Sequence, residues 1–158
     1  MTMATTTKSD GPIRYVGQHL RGVDKSRRVM LPPEWRPKGT SGEFSIHLWP
    51  LDTREYLLIL PPARWAKMVE NIGEASLTDR KAAVLQRLVG ANSYTKSLDA
   101  YGRLPLPDPA ARVAGLENEA LLVGSGDKFE IWNPAKFAAS LDQPETKRVL
   151  ENLENYKL

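Results

Sequence analysis

The chain has 158 residues, 41% hydrophobic and 26% charged, enough to bury a core in one ordinary domain or two small ones, and this composition excludes a disordered chain. It has no cysteine and only two histidines, His19 and His47, which excludes a disulfide scaffold, a thiol nucleophile and Cys-type zinc sites; no metal and no cofactor is expected. Net charge is +3, and residues 1–36 hold seven bases (Lys8, Arg14, Arg21, Lys25, Arg27, Arg28, Arg36) against three acids (Asp10, Asp24, Glu34), an asymmetry that fits either a polyanion-binding face or an ordinary solvated surface.

Residues 1–11 are Thr-rich and read as a disordered arm. Met1–Lys8 lacks the apolar stretch of a secretory signal, so a soluble cytoplasmic protein is expected. A short strand is predicted to end at Asp24. A tight turn then carries Lys25, Ser26 and Arg27, and a second strand, Arg28–Leu31, stops at Pro32, which cannot donate to a ladder. A helical turn follows near Pro33–Arg36, with Gly39 and Gly42 marking the next loop. Phe44–Trp49 and Tyr56–Leu60 form a hairpin; Tyr56–Leu60 is also the longest apolar run, too short to span a bilayer. A helix opened by proline runs over Pro62–Ile72. Another spans Thr78–Ala91, with Thr78 or Ser76 as N-cap, Asp79 in the first turn and Gly90 near the end. Ala82, Leu85, Leu88 and Val89 share one face of it, predicting a core helix that packs one half of the chain on the other.

The second half repeats this layout. A strand ends at Asp99, a turn carries Ala100, Tyr101 and Gly102, and a strand runs over Arg103–Leu106. A helical turn (Pro109–Ala114), a loop at Gly115 and a hairpin (Ala120–Val123 with Lys128–Trp132) follow. The hairpin turn is Gly124-Ser125-Gly126-Asp127. A helix opened by proline, Pro134–Leu141, closes the half. The tail from Glu145 to Leu158 is an amphipathic helix with Val149, Leu150 and Leu153 clustered; it is either a packing helix or an oligomer contact.

The two halves align in three places. Val23-Asp24-Lys25-Ser26-Arg27-Arg28-Val29-Met30-Leu31-Pro32 matches Leu98-Asp99-Ala100-Tyr101-Gly102-Arg103-Leu104-Pro105-Leu106-Pro107 at an offset of 75 residues. Glu43–Ile46 matches Glu119–Leu122 at 76, and Leu57–Trp65 matches Phe129–Phe137 at 72. Three matches in order argue for a duplicated unit. The expected organisation is an arm (1–11), a first unit (12–75), a connecting helix (76–91), a second unit (92–142) and a helical tail (143–158). Each unit alone would expose strand edges, so the units are expected to pair with each other in a barrel-like, β-rich α+β body with flanking helices.

The duplicated Asp-x-x-x-Arg-x-x-Leu-Pro, with Leu122-Val123-Gly124 and Phe129-Glu130-Ile131-Trp132 downstream, resembles the MraZ family from about Tyr15 to Leu141. The resemblance implies two SpoVT/AbrB-like swapped-hairpin units. It implies a DNA-binding transcriptional regulator, a repressor near its own promoter in the cell-division and cell-wall gene cluster, associated with the nucleoid. It also implies closed-ring homo-oligomers that read repeated boxes on double-stranded DNA. Asp99, Gly102 and Arg103 match the family motif in the second unit, and Asp24 and Arg28 in the first. Here Arg27 replaces the family's glycine and Ser26 its lysine, with Lys25 one place earlier. Arg27 must therefore take another turn or accept strain of about 1 kcal/mol.

The motif has a physical logic. Its aspartate can fix a turn by accepting backbone N–H bonds, and its arginine offers a planar fork for phosphate or guanine. Arg28 and Arg103 are the expected DNA contacts. Lys25 and Arg27 add phosphate attraction, Tyr101 can stack on a sugar or base, and Asp24, Asp99 and Gly102 support the turns. The motif alone fits equally well an ion pair that only holds each turn. Trp65, Trp132 and Phe137 read as core residues, Trp35 and Trp49 as core or interface, and the histidines as ordinary surface or strand residues. No nucleotide, hydrolase or metalloprotease signature occurs, so neither an enzyme nor a small-molecule substrate is expected. The alternative to a DNA regulator is an oligomeric, antitoxin-like or scaffold module that binds protein.

Overall fold

Apolar alternation and proline stops divide this chain into short strands and helices, and a computed structural model describes residues 11–38, 42–74 and 78–156. Residues 1–10 of the expected arm (1–11), the loop mark Gly39 and the cap candidate Ser76 lie outside the described residues. The first half gives β1 (Gln18–Gly22), β2 (Arg28–Met30), a 3-10 turn (Pro33–Trp35), β3 (Phe44–Trp49), β4 (Tyr56–Leu60) and α1 (Pro62–Gly73). α2 (Arg80–Ala91) leads to β5 (Ser93–Lys96), β6 (Arg103–Pro105), α3 (Asp108–Val113), β7 (Glu119–Gly124), β8 (Phe129–Trp132) and α4 (Pro134–Ser140). α5 (Pro144–Glu151) and a 3-10 turn (Leu153–Asn155) follow.

All strand pairings are antiparallel, and the class is α+β. Six strands form one sheet in the order β1-β7-β8-β4-β3-β5, and β2 pairs with β6 in a separate two-stranded ribbon. The barrel expected from the sequence is not found closed among the described residues: β1 and β5 are edges of an open sheet. Four pairings among the described residues join the halves: β1 with β7, β3 with β5, β4 with β8 and β2 with β6. Exchanging β1 with β5, β7 with β3 and β8 with β4 reverses the strand order and leaves it unchanged. The registers follow the same exchange. Gln18↔Val123 has its counterpart in Ser93↔His47, Leu57↔Ile131 in Ile59↔Phe129, and Arg28↔Pro105 in Met30↔Arg103.

The core lies under the ribbon. Val29 and Leu104 are paired at its centre and fully buried, and Leu31 and Leu106 continue inward from its strands. Because side chains alternate along a strand, this inward pair turns Arg28, Met30, Arg103 and Pro105 to the outer face. Tyr15, Trp35, Phe44 and Phe129 form an aromatic cluster; the Trp35 and Phe129 ring centroids are 4.9 Å apart. Ala110, Ala111 and Ala114, at and just after α3, are fully buried against it. Gly124 has to be glycine because a Cβ there would meet the Tyr15 backbone at 2.5 Å, where Tyr15 bridges to Gly126 in the β7–β8 turn.

Several elements differ from expectation. The N-cap of α2 is Asp79, whose carboxylate accepts from the backbone N–H groups of Lys81 and Ala82; a carboxylate is a strong acceptor there and suits the positive end of the helix. The predicted core face of α2 is largely exposed. Val89 is buried, but Leu85 and Leu88 are 49% and 45% exposed. α2 meets α1 where Gln86 donates to the Ile72 carbonyl at 2.9 Å, and its C-terminal turn meets β5 where Ser93 donates to the Val89 carbonyl. His47 is no surface residue. It is 1% exposed in β3, with Nε2 2.6 Å from the Ser45 hydroxyl and Nδ1 3.0 Å from that of Ser93. Trp65 and Phe137 are half-buried; Trp65 packs on His47, and Trp132 is buried against Tyr56.

Candidate nucleic-acid interface

The two motif turns fold alike. The Asp24 carbonyl accepts from the Arg27 N–H at 3.0 Å, and the Asp99 carbonyl from the Gly102 N–H at 3.0 Å. Asp24 Oδ1 accepts from the N–H groups of Ser26 and Arg28, each at 2.9 Å. Asp99 Oδ1 accepts from those of Tyr101 and Arg103, also at 2.9 Å. Each second carboxylate oxygen takes the arginine Nε: Arg28 to Asp24 at 2.8 Å and Arg103 to Asp99 at 2.6 Å. The aspartate thus fixes the turn and aims its own arginine.

Both turns need a left-handed residue before the arginine. Gly102 has φ +83° and Arg27 has φ +59°, so Arg27 accepts the strained conformation rather than another turn. Its side chain leaves the turn for the other half of the chain. Nε lies 3.0 Å from Asp108 of α3, and Nη1 donates to the Leu116 carbonyl. At Gly102 the corresponding space is filled by Arg36, whose guanidinium atoms would lie 2.4 and 2.5 Å from a Cβ and which donates to the Leu31 carbonyl at 2.8 and 3.1 Å. Sequence reasoning missed Arg36 and Asp108. The signal for both was the Arg27/Gly102 mismatch between units, because a space filled by a side chain in one turn must be filled from elsewhere in the other.

The ribbon brings the two motifs together. The Leu31 N–H donates to the Gly102 carbonyl and the Leu106 N–H to the Arg27 carbonyl. Arg28 Nη1 lies 3.7 Å from Asp99, and Arg103 Nη1 lies 3.9 Å from Asp24. Asp24, Arg28, Asp99 and Arg103 therefore form one crossed quartet, each side chain between 25% and 35% exposed. Asp24 is held below the ordinary carboxylate range, chiefly by the Arg28 backbone N–H, with the Arg28 guanidinium and the Ser26 N–H adding to it. Desolvation pushes Asp99 upward, and the bonds from Arg103 and Tyr101 outweigh it, so that carboxyl is lowered too. Both carboxylates are therefore charged at neutral pH, and the quartet is neutral as a group.

What remains available is directional. Nε of each arginine is committed to its own aspartate, while the Nη groups make no further hydrogen bond to the described residues. Lys25 is exposed at the tip of the first turn. Tyr101, 69% exposed, sits at the tip of the second, with the Arg103 guanidinium carbon 5.0 Å from its ring centroid. Arg21 donates from Nε to the Met30 carbonyl at 3.2 Å, adding a third guanidinium beside the ribbon. Lys25, Arg28, Arg103 and Tyr101 thus sit on or at the ends of one two-stranded ribbon; Arg27 belongs to the same turn but is braced against α3. Among the described residues no group of three His, Cys, Asp or Glu side chains is placed to hold a metal, and no helix is long and apolar enough to cross a membrane.

Comparison with known proteins gives a consistent family. Residues 89–152 match the family described as "MraZ protein, putative antitoxin-like". The chain is 27% identical to a protein of Dehalococcoides mccartyi over 90% of this chain and 99% of that one. It is 27% identical to one of Leuconostoc mesenteroides over 79% and 85%, and 29% identical to one of Marinobacter nauticus over 81% and 87%. All three relatives carry the name "Transcriptional regulator MraZ". The family match takes in the second Asp-x-x-x-Arg turn, and the Dehalococcoides relative spans nearly the whole of both chains, so the chain is similar to the MraZ family over most of its length.

Proposed function

We propose that this protein is a transcriptional regulator that binds double-stranded DNA through the outer face of the β2–β6 ribbon. The observation that carries this reading is the crossed Asp/Arg quartet. It holds two partly exposed guanidinium forks side by side, with an Nη1 of each paired loosely across the ribbon at 3.7 and 3.9 Å and no Nη hydrogen bond to the described residues. Arg28 and Arg103 contact the duplex, where a planar fork can take phosphate oxygens or the O6/N7 edge of guanine. Lys25 neutralises phosphate, and Tyr101 lies against a sugar or base while steadying Arg103 from its ring face. Arg27 supplies charge at longer range and braces its turn through Asp108. Asp24, Asp99 and Gly102 set the turn geometry. Two SpoVT/AbrB-like units of the swapped-hairpin type account for the symmetric registers. Copies of the chain in a closed homo-oligomer would repeat the weak single contact on repeated boxes and raise its effective concentration. Sequence-specific repression near its own promoter is the role this arrangement suits.

Fluorescence anisotropy tests the reading with a duplex from upstream of the protein's own gene and a scrambled duplex, each across a salt series. The reading expects tighter binding to the native duplex, with affinity falling linearly on a log scale as salt rises. Equal or absent binding to both would overturn it. The neutrality of the quartet favours a second reading, a module that binds protein. A stoichiometric protein partner with no DNA affinity is the result that would select it.

A further inference from the structure

Two amphipathic surfaces remain after the core and the ribbon are assigned. The first is α2. Val84, Leu85 and Leu88 are between 45% and 49% exposed, and with Lys81 they line one side of the helix. Arg80 and Arg87 are exposed beside them, and the span Arg80–Ala91 contains no acidic residue. The second is the tail, α5 with its 3-10 turn. Val149, Leu150 and Leu153 are between 40% and 60% exposed, and Glu145, Glu151 and Glu154 stand exposed around them. Residues 142–156 carry four acids against two bases.

We infer that α2 is the docking surface for the C-terminal helix of a second copy of this chain. The inference rests on the reading that copies assemble. Charge selects the pairing. An α2 face against a second α2 face would bring two all-basic helices together at an apolar seam. A tail on α2 sets Glu145, Glu151 and Glu154 near Lys81, Arg80 and Arg87 while both apolar stripes leave water. The contact is heterologous, because one copy gives its tail and receives another on a different surface. Repetition therefore closes a ring or runs on as a filament. Each copy's ribbon is left out of the contact, since α2 and the tail share no residue with β2 or β6. The contact explains why α2 keeps apolar residues at core-like spacing while burying only Val89.

Charge exchange tests this on the full chain. One variant carries Arg80→Glu and Arg87→Glu, a second carries Glu145→Lys and Glu154→Lys, and a third carries all four. The exchanged residues are exposed, and circular dichroism with a thermal melt checks each fold. Solution mass is read by light scattering at low salt. The expected result is an assembled wild type, a fall to a smaller species in each two-site variant, and recovery of mass in the four-site variant. Mixing the two two-site variants should also restore mass, since each then supplies the surface the other lacks. A monomeric wild type would refute the assembly reading itself. An assembled wild type whose two-site variants keep their mass would overturn the α2–tail contact alone, as would loss in both without recovery on combination or mixing.

Discussion

At position 27 an arginine occupies a left-handed conformation that its counterpart, Gly102, reaches without a Cβ. The two are not interchangeable. Gly102→Ala adds left-handed strain and sets a Cβ against Arg36, so a loss of about 1–2 kcal/mol in urea denaturation is expected. Arg27→Gly relieves similar strain but gives up the Asp108 ion pair and the Leu116 bond, and should stay within about 1 kcal/mol of wild type. Equal losses would contradict this account of the turns. His47 sets the acid side of stability. An unfolded histidine titrates near 6.5, while burial lowers His47 to about 4. Between those values the unfolded chain binds more protons, so stability is full above about pH 6.5 and falls by of order 3 kcal/mol toward pH 4. The lowered carboxyls of Asp24 and Asp99 act below that window, losing their contribution as pH falls beneath the ordinary carboxylate range. Urea midpoints at pH 7 and 4.5 should show the fall in wild type and a smaller one in His47→Gln; equal falls would remove His47 as the cause.

Among the elements, the ribbon is short and depends on what it buries. β2 and β6 have three residues each, and a two-stranded ribbon of that size is not stable in water by itself. Its stability comes from Val29 and Leu104 below and from the carbonyls of Arg27 and Gly102 that extend its bonding at either end. Leu104→Ala empties a fully buried site at the centre, and a loss of about 2–5 kcal/mol is expected by chemical denaturation. A loss below about 1 kcal/mol would mean that the ribbon is not anchored through its core face. Much of this scale was legible in advance. The β3–β4 hairpin falls where the two apolar segments and the proline after the second placed it, because both strands are buried along nearly their whole length and proline ends the ladder. The fate of α2 was not legible. Spacing defines an apolar face but does not say which surface covers it, and here Leu85 and Leu88 lie outside the core.

At the scale of the whole molecule, the sequence named candidate residues for the site but not how they meet. The Asp-x-x-x-Arg repeats lie 75 residues apart, and nothing local says that Arg28 should approach Asp99 or that Arg27 should turn to α3. Those contacts follow from β2 pairing with β6 across the halves, a long-range register set by the core beneath. The central claim is that this pairing builds one DNA-binding surface from two turns. Its most direct test is duplex binding by Arg28→Ala and Arg103→Ala, singly and together, with circular dichroism confirming the fold. Each turn keeps its aspartate's backbone bonds, so little stability should be lost. Each single change should weaken binding by about 1–3 kcal/mol and flatten the salt dependence, and the double variant should lose specific binding. Wild-type affinity and salt slope in the folded double variant would contradict the claim and leave the quartet as a structural ion-pair lattice.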